Sequence, residues 1–229
     1  FSKSTLSEGT HTITASLTEN GYTDSASISL TVYDREKNLG DEKDGQCFGG
    51  NPINILTGNK FQEETDFVLT TETPLYLKRV YNSQSFDSGF FGVQWHSNFE
   101  QRIKLSTNGL QAAVVNETGG VQRFTLKNSV WTDTSSSEAT LVRNTDGSWT
   151  YTLYDGTSKS FSSNGKITSI NYPSGQALTF TYVSGVLNSV SDSFGNSIGF
   201  TFNTDGTVSG VTDNAGNLYS YTYSNGNVK

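Results

Sequence analysis

The sequence predicts an all-β protein built from repeated antiparallel hairpins, and three observations support this prediction. The composition favours strands and turns, since 229 residues include 23 Gly, 11 Tyr and 14 Phe but only 3 Pro. Two stretches near the N-terminus alternate strictly between apolar and polar residues. In the last third of the chain, glycine and aromatic residues return at intervals of about 20 residues. No stretch keeps a 3.6-residue apolar period, so we expect no helix longer than about two turns.

The N-terminal alternation covers residues 10–18, "THTITASLT", and residues 25–32, "SASISLTV", on either side of an Asn-Gly turn. Such a pattern predicts an antiparallel strand pair. The stretch resembles the last two strands of a bacterial immunoglobulin-like domain, which needs about seven strands in all. We therefore expect the missing strands either upstream in the same chain or from a neighbouring subunit. In the second case residues 219–229 are the expected strand donor or acceptor, because the last strand of the repeats also lacks a partner.

A charged, glycine-rich stretch follows, "DREKNLGDEKDGQCFGG", and we interpret residues 34–50 as a linker. Its acidic residues Asp41, Glu42 and Asp44 are oxygen ligands of the kind that calcium prefers. Their spacing does not match a calcium-binding loop, so a solvated linker is the favoured interpretation and calcium is the alternative. We expect no other cofactor.

The repeats can be aligned by their glycines. Gly165, Gly185, Gly206 and Gly226 are 20, 21 and 20 residues apart, and a second series lies halfway between them, at Gly175, Gly195 and Gly216. Each unit then holds two short strands and two glycine turns, which is one β-hairpin. Stacked hairpins pair their strands and form one large sheet. Six aromatic residues keep the same register and are expected to form a ladder across neighbouring strands: Phe180, Tyr182, Phe200, Phe202, Tyr221 and Tyr223.

Three motifs between the linker and the repeats resemble the conserved start of Rhs/YD-repeat proteins. They read "GNPINILTGNKFQEETDFVL", "TPLYLKRVYNS" and "GFFGVQWHSNFEQRIKL", and the Tyr-Asp dipeptide of that family occurs at Tyr154-Asp155. The motif residues that we single out are Asn51, Pro52, Gly58, Asn59, Trp95 and His96. The resulting division is an immunoglobulin-like end at 1–33, the linker at 34–50, an Rhs N-terminal region at 51–146, and hairpin repeats at 147–229.

The resemblance implies a structural function. In that family a β-sheet winds into a shell around a C-terminal cargo, often a toxin, in a secreted or surface-displayed bacterial protein. We therefore expect the chain to be part of such a scaffold, with its own cargo as partner and no catalytic residue. The alternative is an extracellular adhesin or fibre subunit that assembles by β-strand addition or binds glycans. Exposed aromatic rings such as Tyr219, Tyr221 and Tyr223 could stack on sugars, although their periodic spacing favours packing.

Several function classes have little support. The net charge of −7 and the absence of a basic stripe argue against nucleic-acid binding. Apolar runs reach only about four residues, so none spans a membrane. A catalytic dyad of Cys47 and His96 lacks an orienting group, and with His11 these residues do not have the spacing of zinc ligands. Glu63 and Glu64 are adjacent on a predicted strand and face opposite ways, which argues against a glycosidase pair.

Trp95 and His96 admit two interpretations. They could present a ring and an imidazole to a ligand. The favoured interpretation is that Trp95 fills the junction beneath the first repeats while His96 bonds a loop carbonyl, because aromatic residues dominate core burial.

Overall fold

A computed structural model describes residues 9–32, 48–49, 53–54, 57–69, 75–85, 87–133 and 138–229. All regular structure in these ranges is β-strand, which confirms the predicted all-β antiparallel fold. The chain divides into two units, Phe1–Arg35 and Glu36–Lys229. Nowhere in the described part does a helix occur that is long and apolar enough to cross a membrane.

The first unit contains one long hairpin. Strands β1 (Gly9–Glu19) and β2 (Tyr22–Val32) pair in antiparallel register along their full length. Asn20 and Gly21 both have positive φ, 50° and 81°, as the two central residues of a type I′ turn require. On one face, hydroxyl groups pair across the strands, as in the 2.8 Å contact between Thr14 Oγ1 and Ser27 Oγ.

The second unit contains a 13-stranded antiparallel sheet whose strands follow one another in sequence order. Its strands are β10 (Arg102–Leu105), β11 (Gln111–Val115), β12 (Val121–Lys127), β13 (Val130–Asp133), β14 (Thr140–Arg143), β15 (Trp149–Thr152), β16 (Ser158–Phe161), β17 (Ile167–Asn171), β18 (Ala177–Val183), β19 (Val186–Asp192), β20 (Ser197–Phe202), β21 (Val208–Thr212) and β22 (Leu218–Ser220). The sheet runs without a break in strand order across residue 147, where we placed the start of the repeats.

Other strands precede and follow this sheet. They are β3 (Phe48–Gly49), β4 (Ile53–Asn54), β5 (Phe61–Val68), β6 (Tyr76–Asn82), β7 (Ser88–Gly89), β8 (Gly92–Val93), β9 (Trp95–Ser97), β23 (Tyr223–Ser224) and β24 (Asn227–Val228). Strands β5, β6 and β9 form a three-stranded sheet, and β3 pairs with β4. Residues 48–49 of the predicted linker therefore belong to a strand.

Alternation along the strands explains which face of the large sheet is buried. In β15, Trp149 and Tyr151 are buried while the intervening Thr150 is partly exposed. In β18, Leu178 and Phe180 are buried and Thr179 between them is exposed. Period-2 alternation of this kind gives each strand one apolar face, and neighbouring strands align these faces into a continuous core surface.

A register shift of the kind that a β-bulge produces recurs before three of the four repeat glycines, Gly165, Gly185 and Gly206. The strand register shifts between Ser160 and Phe161, between Thr181 and Tyr182, and between Thr201 and Phe202. The spacing from Phe161 to Tyr182 is 21 residues, and that from Tyr182 to Phe202 is 20. A bulge bends its strand and increases the local twist. Bulges at the repeat period therefore curve the sheet in the same sense from one hairpin to the next.

The curved sheet encloses its own N-terminal segment. The apolar face packs against Leu75, Leu77, Phe91 and Phe99, all fully or almost fully buried. Phe99 makes edge-on ring contacts with Phe180 and Phe200 at centroid distances of 5.9 and 6.0 Å. Within the described residues, the apolar face of the sheet is thus partly covered by residues 75–85 and 87–101.

The end of the repeats is paired, contrary to the expectation of a free last strand. Asn227 of β24 pairs with Gly92 of β8, and the amide of Val93 donates to the Gly226 carbonyl at 2.9 Å. Strand β8 also pairs with β7, so β23, β24, β8 and β7 form one small sheet. The prediction was wrong because the repeat pattern does not reveal that the N-terminal segment supplies the partner strand.

The aromatic ladder also differs from the expectation. Phe180 lies opposite Val190, Val190 lies opposite Ile198, and Phe200 lies opposite Val211. Equivalent aromatics therefore stand on alternate strands with an aliphatic strand between them. This alternation follows from a 20-residue repeat, which places two strands in each unit. Four of the six aromatic residues contact rings of the enclosed segment, namely Phe180, Phe200, Phe202 and Tyr221. Phe200 also stacks on Phe202 of its own strand at 6.4 Å.

Candidate functional site

The seven glycines of the two series lie in turns between strands and have positive φ, from 77° to 89°. They occupy two kinds of turn. Gly185 and Gly226 follow Ser184 and Asn225, which also have positive φ, in two-residue turns. The other five close turns in which the glycine amide donates to a carbonyl three residues earlier, as Gly195 does to Asp192 at 3.3 Å. In both kinds, a residue with a side chain would be strained.

One edge of the repeats is bonded to the enclosed segment. The amide of Ile103 donates to the Gly165 carbonyl at 2.8 Å, and Val93 bonds Gly226 in the same way. Between these two points, the Val208 amide donates to the Phe90 carbonyl at 2.7 Å. Residues 90–103 therefore run along this row of turns and connect it by main-chain hydrogen bonds.

Two close approaches make glycine necessary at these contacts. A Cβ added to Gly165 would collide with the Ile103 carbonyl, and one added to Gly92 would collide with the Gly226 carbonyl. Gly89 is confined likewise, since a Cβ there would overlap the Trp95 carbonyl and the ring of His96. The backbones meet directly, which only a residue without a side chain permits.

The motif residue Asn59 is the centre of a buried amide network. Its Nδ2 donates to Asn82 Oδ1 at 2.9 Å, and Asn82 Nδ2 donates to the Thr118 carbonyl at 3.0 Å. Both asparagines are buried, and Gly58 before Asn59 has a φ of 71°. The network joins the "TGNK" motif, the "YNS" motif and the turn at 116–119, which are far apart in sequence. Asn82 escaped our selection although it stands inside a motif that we quoted.

A second network connects β5 and β6 to the end of the repeats. Arg79 forms a bidentate ion pair with Asp66, with nitrogen–oxygen distances of 2.8 to 3.0 Å. The Tyr221 hydroxyl donates to the same carboxylate at 2.6 Å. Burial and the Asp66 carboxylate raise the pKa of Tyr221, so its proton stays available to donate. The guanidinium also lies 5.4 Å from the Trp95 ring centroid.

Trp95 and His96 support the junction. Trp95 is partly buried against the core and makes a tilted ring contact with Tyr81 at 5.2 Å. His96 is buried, and its Nε2 lies 3.3 Å from Ser85 Oγ rather than from the loop carbonyl that we expected. Its Nδ1 is buried without a hydrogen-bond partner among the described residues, at 3.8 Å from Glu100 Oε1.

Ser85, His96 and Glu100 resemble a hydrolytic triad in composition but not in geometry. Glu100 accepts the amides of Phe90 and Ser97 instead of holding the imidazole. The adjoining cavity has a volume of about 20 Å³, enough for roughly one water. A nucleophile needs a base held by a third group and room for a substrate. The arrangement therefore fits a role in positioning the 83–101 segment.

The remaining candidate site residues do not come together in one site. Cys47, Asn51, Pro52 and the acidic residues of the linker lie outside the described residues. Glu63 forms an ion pair with Lys78 at 2.9 Å, and Glu64 accepts from Gln62, so the two carboxylates have different partners. Across the described ranges, no three His, Cys, Asp or Glu side chains are grouped as metal ligands.

A cleft of about 880 Å³ opens beside the enclosed segment. On one side it is lined by residues 99–102 and Lys104, and on the other by the turns that contain Gly185 and Gly206. Lys166 lies at its rim, with its ammonium over the Tyr182 ring at 5.6 Å. The cleft lies between the turns at Gly165 and Gly226, the two turns that accept hydrogen bonds from residues 90–103.

These features define a class of protein: a repeat-built antiparallel sheet, curved by periodic bulges and bonded at one edge to an enclosed N-terminal segment. A family model described as a domain of unknown function, DUF6531, matches residues 50–124. That range contains Asn59, Asn82, Trp95 and Ile103, the residues through which the segment reaches the sheet.

Two curated relatives match the chain. The probable deoxyribonuclease RhsB of Dickeya dadantii (strain 3937) is 29% identical over 70 residues, which cover 31% of this chain and 5% of the relative. The probable deoxyribonuclease RhsA of the same strain is 30% identical over 70 residues, with the same coverage. The matched part thus spans about a twentieth of these relatives. The chain is related to Rhs proteins over this region.

Proposed function

We propose that the chain is a structural part of a secreted or surface-displayed bacterial Rhs/YD-repeat protein, in which it begins a β-sheet shell for a C-terminal cargo used against other cells. The observation that carries this proposal is the recurring register shift, because a sheet that bends at successive repeats continues to wind as repeats are added. The enclosed segment, residues 75–101, then serves as the first surface around which the sheet curves.

We assign no catalytic role to the described residues. The relatives are named as probable deoxyribonucleases, but the shared 70 residues are 5% of each of them. The range that the family model matches, residues 50–124, contains the buried amide network of Asn59 and Asn82 and the ring of Phe99. In the same range, the Glu100 carboxylate accepts the backbone amides of Phe90 and Ser97. The nuclease chemistry of such proteins belongs, in this proposal, to sequence outside the match.

Protease protection tests the shell. The parent protein is purified from its bacterium and treated with a protease, and the survival of sequence that follows residue 229 is measured by mass spectrometry. A shell predicts that this sequence survives in the native protein and is degraded after mild denaturation. Equal degradation of the cargo under both conditions would refute enclosure.

The second candidate is a fibre or adhesin subunit, and the hairpin β1–β2 favours it. Leu17 and Ile28 are 71% and 67% exposed, although both are large apolar residues on an amphipathic pair. Such an apolar face needs a second sheet to cover it. In the immunoglobulin-like interpretation, that sheet lies upstream in the same parent protein. In the fibre interpretation, a neighbouring subunit supplies it. Light scattering during gel filtration decides between them: a well-folded monomer of 24.9 kDa excludes obligatory strand exchange.

Glycan binding and calcium binding stay predictions. The tyrosines offered for sugar stacking take part in packing, since Tyr219 stacks on Phe67 at 4.4 Å and Tyr223 donates to the Val208 carbonyl. Isothermal titration with a glycan panel and with calcium checks both.

A further inference from the structure

The cleft of about 880 Å³ lies where the contact between the enclosed segment and the row of turns is interrupted. Residues 90–103 form main-chain hydrogen bonds to Gly165, Val208 and Gly226. In the described part of the chain they form none to the turn at Gly185, which lines the cleft instead. A gap in a row of backbone contacts therefore produces the cleft, and its volume falls within the range of small-molecule sites, about 300–1,000 Å³.

Aromatic side chains form much of the wall of the cleft. Phe90 and Phe202 line it and meet edge-on at a ring-centroid distance of 5.1 Å. Both rings are only partly buried, as is that of Tyr182. Val186 adds an aliphatic surface that is 49% exposed. Accessible rings in a concave site favour a ligand with an aromatic body, since ring pairs contribute beyond the area that they bury.

The charges that line the cleft include one cation without a counter-ion. Arg102 and Lys104 share the carboxylate of Asp87, at 2.6 and 2.8 Å. Lys166 has no ion-pair partner among the described residues, and its ammonium donates to the Gly185 carbonyl. An ammonium has three N–H donors, so two of them remain for an anion.

Lys166 also lies opposite a second cation. Arg102 and Lys166 are direct partners in an antiparallel bridge, and like charges directly opposite each other are destabilising. Glu100, the second carboxylate of the lining, accepts the amides of Phe90 and Ser97. The lining thus has more cations than carboxylates, although the whole chain has a net charge of −7. An anion beside Lys166 would offset the repulsion between the two cations.

We propose that the cleft binds a small aromatic carboxylate. The ring of the ligand packs against the wall that contains Phe90 and Phe202, and its carboxylate accepts hydrogen bonds from Lys166 Nζ. Binding requires no chemical step. The site is independent of the function proposed above, because it depends on the cleft and not on the continued winding of the sheet.

Isothermal titration of the 229-residue chain with naphthoate tests the proposal. Naphthoate should bind saturably at one site per chain. Naphthylmethanol has the same rings without the charge, and it should bind about tenfold more weakly because it lacks a charge-assisted hydrogen bond. Octanoate has the charge without the rings and should also bind more weakly. Absence of saturable naphthoate binding, or equal affinity for all three probes, would overturn the proposal.

Lys166→Gln tests the anion contact. The variant should bind naphthoate about tenfold more weakly than the wild type, while its affinity for naphthylmethanol stays the same. Lys127→Gln is the matched control, because it removes one charge from an exposed lysine on β12 that does not line the cleft. An equal loss of naphthoate affinity in both variants would show only a general effect of charge and would contradict a site at Lys166.

Val186→Trp tests the place of binding by filling the cleft from its wall. This variant should lose binding of both naphthalene probes. Val142→Trp is the matched control, since Val142 is 52% exposed on β14 and does not line the cleft. Circular dichroism checks that both variants keep their fold. Naphthoate binding that persists in folded Val186→Trp would place the site elsewhere, for example on the exposed apolar face of β1 and β2, and would refute the proposal.

Discussion

The two edges of the repeat sheet are built differently, although the sequence gives both the same glycine period. At one edge, the turns at Gly165 and Gly226 accept hydrogen bonds from the enclosed segment. At the other edge, a Cβ placed on Gly175, Gly195 or Gly216 would meet no atom within 4 Å. Gly165 and Gly226 of one series therefore serve a tertiary contact, while Gly206 of that series and the three glycines of the other series have open space around them.

The open edge relies on local hydrogen bonds. Asp192 Oδ1 accepts the amides of Phe194 and Asn196, and its Oδ2 accepts Asn196 Nδ2 at 2.8 Å. Asp213 and Asn217 repeat this arrangement one unit later. The turn after Asp192 is also bonded to the neighbouring hairpin, where the Ser193 amide donates to the Ala177 carbonyl at 3.1 Å. Residues 90–103, which bond the other edge, form no main-chain hydrogen bond to these two turns within the described part of the chain.

Replacing Gly165 by alanine should cause the largest loss. The new Cβ collides with the Ile103 carbonyl and strains a backbone with a φ of 82°, so we expect a loss of about 3 kcal/mol or more in the free energy of unfolding. Gly195→Ala is the matched control, with a φ of 89° and open space, and should lose about 1 kcal/mol. Chemical denaturation of both variants measures the difference, and equal losses would contradict the distinction between the edges.

Removing the Asp66 carboxylate should have the next largest effect. Asp66→Ala leaves Arg79 without its ion-pair partner in a largely buried site, where the side chains are 15% and 18% exposed. A loss of about 2–3 kcal/mol is expected, somewhat below that of a fully buried pair. Glu63→Ala on the same strand breaks a more exposed pair with Lys78 and should lose at most about 1 kcal/mol. A greater loss from Glu63→Ala would refute this ranking.

A smaller effect is expected from Tyr221→Phe. The substitution keeps the edge-on ring contact with Phe91 at 4.9 Å and removes only the hydroxyl that bonds Asp66. A hydrogen bond to a charged group suggests a loss of about 1.5 kcal/mol. Tyr219→Phe is the control, since its hydroxyl lies 3.4 Å from Asp213 in an exposed turn. Thermal melting measures both variants. If the two have the same melting temperature, the Tyr221 hydroxyl does not connect the repeats to β5 and β6.

The sequence was sufficient to predict the local structure of both edges. Alternation and the glycine period predicted the strands and turns, because these depend on residues a few positions apart. The contacts of Ile103, Val93 and Asn82 could not be predicted in the same way, since they join segments separated by tens of residues and use backbone groups that every residue carries. The bulges at Phe161, Tyr182 and Phe202 left no signal that we recognised, as a bulge needs only one extra residue in one strand.

Acid should weaken the open edge through Asp192 and Asp213. Burial alone would raise the pKa of Asp192, but the hydrogen bonds from Asn196 and Phe194 lower it overall. The side-chain hydrogen bond from Asn217 lowers the pKa of Asp213. A carboxyl with a lowered pKa in the folded state stabilises it fully above the unfolded value, which is about 3.9. That contribution disappears as the pH falls through the folded pKa.

The double variant Asp192→Asn, Asp213→Asn separates this charge contribution from the shape of the turn. Asparagine keeps a side-chain oxygen that can accept the turn amides but does not titrate. The melting temperature of the variant should lie slightly below that of the wild type at pH 7. This difference in melting temperature, the gap, should narrow as the pH falls from 5 to below 3, because the wild-type carboxylates become protonated. Melting curves followed by circular dichroism across this range measure the gap. A gap that stays constant with pH would show that these carboxylates act through turn geometry alone.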